Sequence, residues 1–401
     1  MLADVHIYDA LRTPRGAAKP DGALHGLRPV DLLTQLFAAQ RARGLEDALV
    51  DDLVLGCSSQ VGDQGANVAQ TALRYAGFGQ HVPGVTLNRF CCSGLDALRY
   101  ASAQVASGMS RAVLAGGVEC MSRVGMFADQ GAWFSDPHVA AQAQFVHMGV
   151  AADILATRNG ITRADCDAFA LRSQRLATAS QARGALPSRI PVTDPATSSV
   201  LLAHDECVRP GTRAEKLAAL PPAFAEVGAS GGGDARACAA YGLAAIDHVH
   251  TLASSPAMCD AAALVLLGGP ELASDLGRAP RARVRAFASL SSDPLVMLEG
   301  APLALERACA SAGCLPGDLG VVECNESFAA TALLVQRRLG LREEQLNPNG
   351  GALALGHPLG ATGALLVSSL LDELEARGEA LGAIVIPAGG GIAMALVVER
   401  T

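Results

Sequence analysis

Short apolar runs alternate along the chain with stretches whose apolar residues recur at helical spacing. Asp51-Asp52-Leu53-Val54-Leu55-Gly56-Cys57 leads into a helical stretch from Ala66 to Leu73, as Gly317-Asp318-Leu319-Gly320-Val321-Val322-Glu323-Cys324 leads into one from Phe328 to Leu339. Further on, a turn at Cys91 opens an amphipathic stretch, Leu95 to Ser107, followed by Ala112-Val113-Leu114-Ala115-Gly116-Gly117. A turn at His357 likewise opens Ala364 to Arg377, followed by Ala383-Ile384-Val385-Ile386-Pro387-Ala388-Gly389-Gly390. Apolar runs bounded by turn residues predict buried strands, and the longer periodic stretches predict helices packed on them. The order strand, helix, strand, turn, helix, strand occurs twice, which predicts two similar α/β halves. Such a duplication would set the Cys91 and His357 turns at equivalent places across a pseudo-twofold axis.

The longest uncharged run, Leu381 to Val398, contains Pro387 and three consecutive glycines. It predicts strand, turn, strand in a buried sheet rather than a membrane helix. Between the halves the pattern changes. The expected organisation is a first half over 1–118, an inserted loop domain over 119–250, the end of the first half over 251–275, and a second half over 276–401. The insertion carries Trp133, a helical segment from Ala164 to Arg183, three prolines (Pro187, Pro191, Pro195) and a glycine run, Gly228 to Gly233, expected to be flexible. Loop-rich insertions of this kind often cover a site.

Of the 401 residues, 50% are hydrophobic but only 4% aromatic, so the core must be built from Ala, Val, Leu and Ile. Forty-three glycines suit the close backbone approaches such a core requires. A formal net charge of −8 argues against a nucleic-acid partner. The eleven cysteines lack the paired spacings of a zinc site or a disulfide framework, so no metal is expected. No basic segment followed by an apolar stretch opens the chain, so a cytoplasmic location with reduced thiols and no membrane partner is expected.

The candidate chemistry lies in the two turns. Leu87-Asn88-Arg89-Phe90-Cys91-Cys92-Ser93-Gly94-Leu95 sets a cysteine where a helix begins, and backbone N–H groups there favour a thiolate. Either Cys91 or Cys92 could serve. Asn349-Gly350-Gly351-Ala352-Leu353-Ala354-Leu355-Gly356-His357-Pro358-Leu359-Gly360 offers a histidine able to take and return the thiol proton.

Together with Asn325-Glu326-Ser327-Phe328 and Gly389-Gly390-Gly391, these strings resemble the thiolases, in order and spacing, from the first strand to the C-terminus. The resemblance implies a five-layered, duplicated α-β-α-β-α fold with a loop-domain insertion that binds CoA. It assigns the nucleophile to Cys91 and the proton shuttle to His357. One thioester oxygen would be held by His357 and a water positioned by Asn325, another by the backbone N–H groups of Cys91 and Gly389. Glu326 would order its turn. His147, Met148, Arg209, Ser255 and Phe328 would line the substrate site. The resemblance also implies acyl-CoA and CoA as substrate and product with no separate cofactor, and a homodimer or homotetramer.

One position departs from the family. Thiolases that make or break carbon–carbon bonds carry a second cysteine just before the glycine run, where this chain has Pro387. One branch carries it instead at the position of Ser327. Proline supplies neither an ionisable group nor a backbone donor. Cys92, Cys324 and Cys57 are candidate replacements. The leading expectation is a thiolase-type acyl-CoA acyltransferase with a Cys91 acyl-enzyme, cleaving 3-ketoacyl-CoA or condensing acyl-CoAs. The alternatives are transfer of the acyl group to water or a heteroatom, which Pro387 favours, and acyl-CoA binding without catalysis, which the intact Cys91, Asn325, His357 and Gly389 set disfavours.

Overall fold

The computed structural model describes residues 4–401. The first half holds strands His6–Arg12, Asp52–Gly56, Gly84–Leu87, Ala112–Cys120 and Cys259–Gly268, with helices Pro29–Ala42, Val68–Tyr75 and Ser93–Ala106. The second holds strands Ala282–Ser291, Val321–Cys324, Leu381–Pro387 and Ile392–Arg400, with helices Ala301–Ala312, Ala329–Leu339 and Thr362–Arg377. Pairing repeats with the order. Asp52–Gly56 lies parallel to Ala112–Cys120, and Val321–Cys324 lies parallel to Leu381–Pro387. Each half then adds two antiparallel strands, its last strand and then its first. The long uncharged run forms a strand, a glycine turn and a strand, as its proline and glycines predict.

The two opening strands meet antiparallel, His6 opposite Arg283 and Ile7 opposite Ala282. These are equivalent strands of the two halves, so the contact lies on the pseudo-twofold. It joins the two mixed sheets at one edge.

Side-chain alternation along the strands fixes the layers. On Cys259–Gly268, Ala263, Val265 and Leu267 face a central core, while Ala262, Leu264 and Leu266 face outward. On Ile392–Arg400, Met394, Leu396 and Val398 face that same central core, and Ala393, Ala395 and Val397 face the other way. The central core holds Leu95, Leu98 and Val105 of one helix and Leu365, Leu370 and Leu374 of another. Helices Pro29–Ala42 and Val68–Tyr75 cover the outer face of the first sheet, and Ala301–Ala312 and Ala329–Leu339 that of the second. The result is five layers, α-β-α-β-α.

Ser93–Ala106 and Thr362–Arg377 cross near their N-terminal ends, and glycine permits it. A Cβ on Gly94 would lie 2.6 Å from the Gly360 carbonyl oxygen, and one on Gly363 only 2.1 Å from the Leu95 nitrogen. The turn before each helix, with Cys91 in one and His357 in the other, is thereby drawn to the same end of the central layer.

Between strands Ala112–Cys120 and Cys259–Gly268, helices Met148–Arg158 and Arg163–Arg183 pack on the second half, while Val192 joins the core of the first. Ala151 and Leu155 of helix Met148–Arg158 and Phe169 of helix Arg163–Arg183 share a core with Leu333 and Val335. Thr162 and Asp165 cap the longer helix reciprocally. The glycine run does not form the expected flexible loop: Ala225–Ser230 and Gly233–Tyr241 are helical, joined at Gly232 with φ +67°. Its small residues let the two short helices abut. Among the described residues no helix is long and apolar enough to cross a membrane.

Candidate active site

Cys91 sits in a tight turn closed by hydrogen bonds. Asn88 Oδ1 accepts from the Phe90 N–H (2.7 Å), and the Ser93 hydroxyl accepts from the Arg89 N–H (2.8 Å) while donating to the Phe90 carbonyl (2.6 Å). Phe90 adopts φ +50°, a conformation that favours glycine, and so turns the chain into the helix. The Cys91 side chain is buried, with its own N–H and that of Gly389 directed at the sulfur. Burial outweighs those donors and pushes the thiol up to about 12, so the thiolate expected at a helix start is not the resting form. Cys92 points away, its thiol donating to the Ile386 carbonyl (3.2 Å) inside the central core.

His357 is also buried. Its backbone N–H donates to the Ala257 carbonyl (2.8 Å), and its ring Nδ1 contacts the Thr362 hydroxyl (2.7 Å) at the start of the helix it precedes. Nε2 is buried without any partner and so makes no hydrogen bond to the Cys91 sulfur. Burial, assisted by the Arg15 charge, pushes the imidazole down to about 3. Thiol and imidazole are therefore both neutral at physiological pH.

Glu119 ties these turns together. Its carboxylate accepts from the N–H groups of Ser58 (2.8 Å), Ser59 (3.0 Å) and Gly360 (2.8 Å), and from Gln64 Nε2 (2.8 Å). One buried side chain thus fixes the loop beside Cys91 to the turn that carries His357. Nothing in the sequence assigns Glu119 this role, although an acid inside the apolar strand Ala112–Cys120 is a visible signal.

Asn325 is buried, its Nδ2 donating to the Ser327 hydroxyl (2.8 Å) and its Oδ1 without a partner. The Ser327 hydroxyl in turn faces the Pro387 carbonyl (3.5 Å). The two positions at which the resemblance leads one to expect a second cysteine are therefore neighbours in space, and neither supplies a thiol. The candidate replacements do not reach the site. Cys324 donates to the Asn325 carbonyl (3.7 Å) and Cys57 to Glu119 (3.8 Å), each pushed far up by burial, and neither lines a cavity at Cys91 or His357. Glu326 orders its turn, accepting from the Ser173 hydroxyl (2.7 Å), Asn347 Nδ2 (2.9 Å) and the Leu353 N–H (3.0 Å).

Three cavities adjoin one another. The first is lined by Cys91, Gly389 and a group of aromatic rings. It shares Met126, Phe127, Met148 and Leu359 with a second, lined also by His147, Ser255, Ser327, Phe328 and His357. The second shares Leu252, Ser255 and Ala257 with a third, lined by Arg209 and Thr212. Of the residues expected at the site, all but Asn325 line this tract, and Asn325 lies directly behind Ser327. Arg209 is exposed at the far end, its backbone N–H bonded to Gln174 (2.8 Å). His147 caps helix Met148–Arg158 through Nδ1 and leans on the Phe224 ring at 5.5 Å. Phe328 packs edge-on against Phe224 and His250.

The rings around Cys91 also went unread in the sequence. Trp133, the chain's single tryptophan, stands 5.2 Å from Phe90 and 5.0 Å from Phe145. Phe127, Trp133, Phe134 and Phe145 crowd one short segment of a chain poor in aromatics, which was the available signal.

Among the described residues no group of three His, Cys, Asp or Glu side chains could hold a metal.

Comparison with known proteins places this geometry. The family model for the thiolase N-terminal domain matches residues 5–246, and that for the thiolase C-terminal domain matches 278–400. A 3-ketoacyl-CoA thiolase of Bacillus subtilis is 37% identical, over 99% of this chain and 100% of its own. A beta-ketoadipyl-CoA thiolase of Pseudomonas putida is 36% identical over the full length of both. Among solved structures, the Bacillus anthracis acetyl-CoA acetyltransferase superimposes with a TM-score of 0.86 at 33% identity, covering 100% of this chain and 99% of that one. The human mitochondrial 3-ketoacyl-CoA thiolase in complex with CoA also gives 0.86, at 28% identity, covering 100% and 98%. Matched in both domains and along its whole length, this chain belongs to the thiolase family.

Proposed function

We propose that this chain is an acyl-CoA acyltransferase that carries its acyl group on Cys91. One observation carries the reading: two buried polar atoms without partners, His357 Nε2 and Asn325 Oδ1, lie beside the cavities that Cys91 lines or adjoins. Buried polar atoms are rarely left unpaired unless a substrate or water completes them.

In this reading Nε2 of His357 accepts the Cys91 proton as the sulfur attacks the thioester carbonyl, and returns it to the departing CoA thiol. The contact of Nδ1 with Thr362 holds the ring for that role. Because thiol and imidazole both rest neutral, proton transfer accompanies attack rather than preceding it. The N–H groups of Cys91 and Gly389 receive the developing oxyanion, each such donor contributing about 3 kcal/mol. His147, Met148, Ser255 and Phe328 hold the CoA arm, and Arg209 at the outer end meets a phosphate, a match suited to guanidinium.

Carbon–carbon cleavage or condensation needs a further acid/base beside the α-carbon. Ser327 and Pro387 occupy its place, and Cys91 is the only cysteine lining the two inner cavities. Acyl exchange between CoA thiols is accordingly the faster activity. The same feature favours a second reading, in which water or a heteroatom nucleophile takes the acyl group. The proposal extends to a cytoplasmic homodimer or homotetramer acting in lipid metabolism with reduced thiols, and with no cofactor besides CoA as substrate and product.

Intact-mass analysis with acetyl-CoA tests the reading. One acetyl mass should appear on the peptide containing Cys91 and be absent from Cys91→Ala. An adduct persisting at Cys92 in that variant would refute the assignment.

A further inference from the structure

An acyl group bound to Cys91 has to project away from the CoA arm. Since the CoA arm occupies the cavity of His147, Ser255 and His357, the acyl chain is left the chamber on the other side of the sulfur. Phe90, Met126, Phe127, Trp133, Phe134 and Phe145 line it, around a cavity of only about 50 Å³. The polar lining is Ser58, Ser59 and Asp129, and no lysine, arginine or histidine takes part. An acyl group ending in a carboxylate would meet rings, an acid and no cation there, and burying such an unpaired charge is strongly unfavourable. Phe90 and Phe127 both hold left-handed backbone conformations, φ +50° and +69°. Backbone strain of this kind persists where the surrounding structure enforces it and clusters at ligand-binding sites.

Phe145 has a particular place in the wall. Its ring stands edge-on to Trp133, with centroids 5.0 Å apart and planes at 83°. It also lines a separate, largely apolar cavity of about 540 Å³ between residues 137–150 and 227–236. The ring therefore stands between the small chamber at Cys91 and a larger, mainly apolar space beyond it.

We infer that the Cys91 chamber selects an uncharged, apolar acyl group of limited length, and that Phe145 is the residue that sets the limit. The inference rests on the acyl-enzyme reading above. Within the chamber each added methylene buries more apolar surface, worth about fourfold in selectivity. Once the chain reaches Phe145, further length requires the ring to move.

The test uses the full-length protein and the rate of adduct formation on Cys91 by rapid quench and intact mass. Butyryl-CoA and succinyl-CoA share a chain length and differ by the terminal carboxylate; butyryl should react faster by at least about 10²-fold. Hexanoyl-CoA should react faster than dodecanoyl-CoA in the wild type. Phe145→Ala should raise the dodecanoyl-to-hexanoyl ratio by at least about tenfold, since it opens the space beyond the ring. Phe145→Leu, which better preserves packing, should raise the same ratio by less. Equal butyryl and succinyl rates would overturn the inference, as would an unchanged ratio in both variants, while leaving the acyl-enzyme intact. No adduct from any acyl-CoA would instead overturn the acyl-enzyme reading.

Discussion

Replacing Glu119 by glutamine tests whether one buried carboxylate holds the two catalytic turns in register. Its Oε2 accepts from the N–H groups of Ser58 and Gly360, and its Oε1 from the Ser59 N–H and Gln64 Nε2. Every close polar neighbour is a donor, so the geometry demands an ionised, acceptor-only group, even though burial raises its pKa. Glutamine keeps the shape but converts one oxygen into an NH2. Whichever way the amide turns, two donors then face a donor. Each unsatisfied buried group costs about 1–3 kcal/mol, so Glu119→Gln should destabilise the fold by about 2–6 kcal/mol. The acylation rate should fall as well, because the freed groups include the turn three residues beyond His357. Urea unfolding monitored by circular dichroism gives the first quantity, and adduct formation on Cys91 the second. A variant within about 0.5 kcal/mol of wild type that acylates normally would show that the carboxyl is held protonated and positions nothing.

Two further perturbations follow from the same geometry. His357 titrates near 6.5 when unfolded but near 3 in the fold, so between those values the unfolded chain binds the extra proton. The stability present above pH 6.5 should therefore drain away as pH falls toward 3, by roughly 5 kcal/mol from this group alone. Unfolding measured across that range should show a shallower slope in His357→Ala, whose acylation should also be slower by about 10²–10⁴-fold. Gly363→Ala would put a Cβ 2.1 Å from the Leu95 nitrogen at the crossing of the central helices. It should cost at least about 1–3 kcal/mol in a urea melt, and a neutral result would mean the helices can part freely.

The layered fold was legible because its signal is local and repeated. Helices expected at Ala164–Arg183 and Ala364–Arg377 form at Arg163–Arg183 and Thr362–Arg377, since their apolar spacing is regular and capping or glycine marks their ends. Two turns flanked by small residues named Cys91 and His357. What the sequence hid depends on burial. A cysteine at a helix start reads as a thiolate until the surrounding core is known, and here Cys91 is 2% exposed, with Phe90, Trp133 and Gly389 beside it. Glu119 reads as an interruption in a strand until Ser58, Ser59 and Gly360 arrive from distant segments. The glycine run read as flexible, but helix formation depended on Val146 and Val150, against which Gly233 packs. Nothing local reveals that Ser327 and Pro387 touch.

That contact underlies the central claim, which is that acylation at Cys91 is intact while carbon–carbon chemistry lacks its acid/base. The most direct measurement compares, in one preparation, the rate at which the wild type exchanges acyl groups between CoA thiols with the rate at which it thiolyses the matching 3-ketoacyl-CoA. General acid/base steps are commonly worth about 10²–10⁴-fold, so exchange should lead by a factor in that range, and Pro387→Cys should narrow the gap by raising thiolysis. Thiolysis as fast as exchange in the wild type would contradict the account.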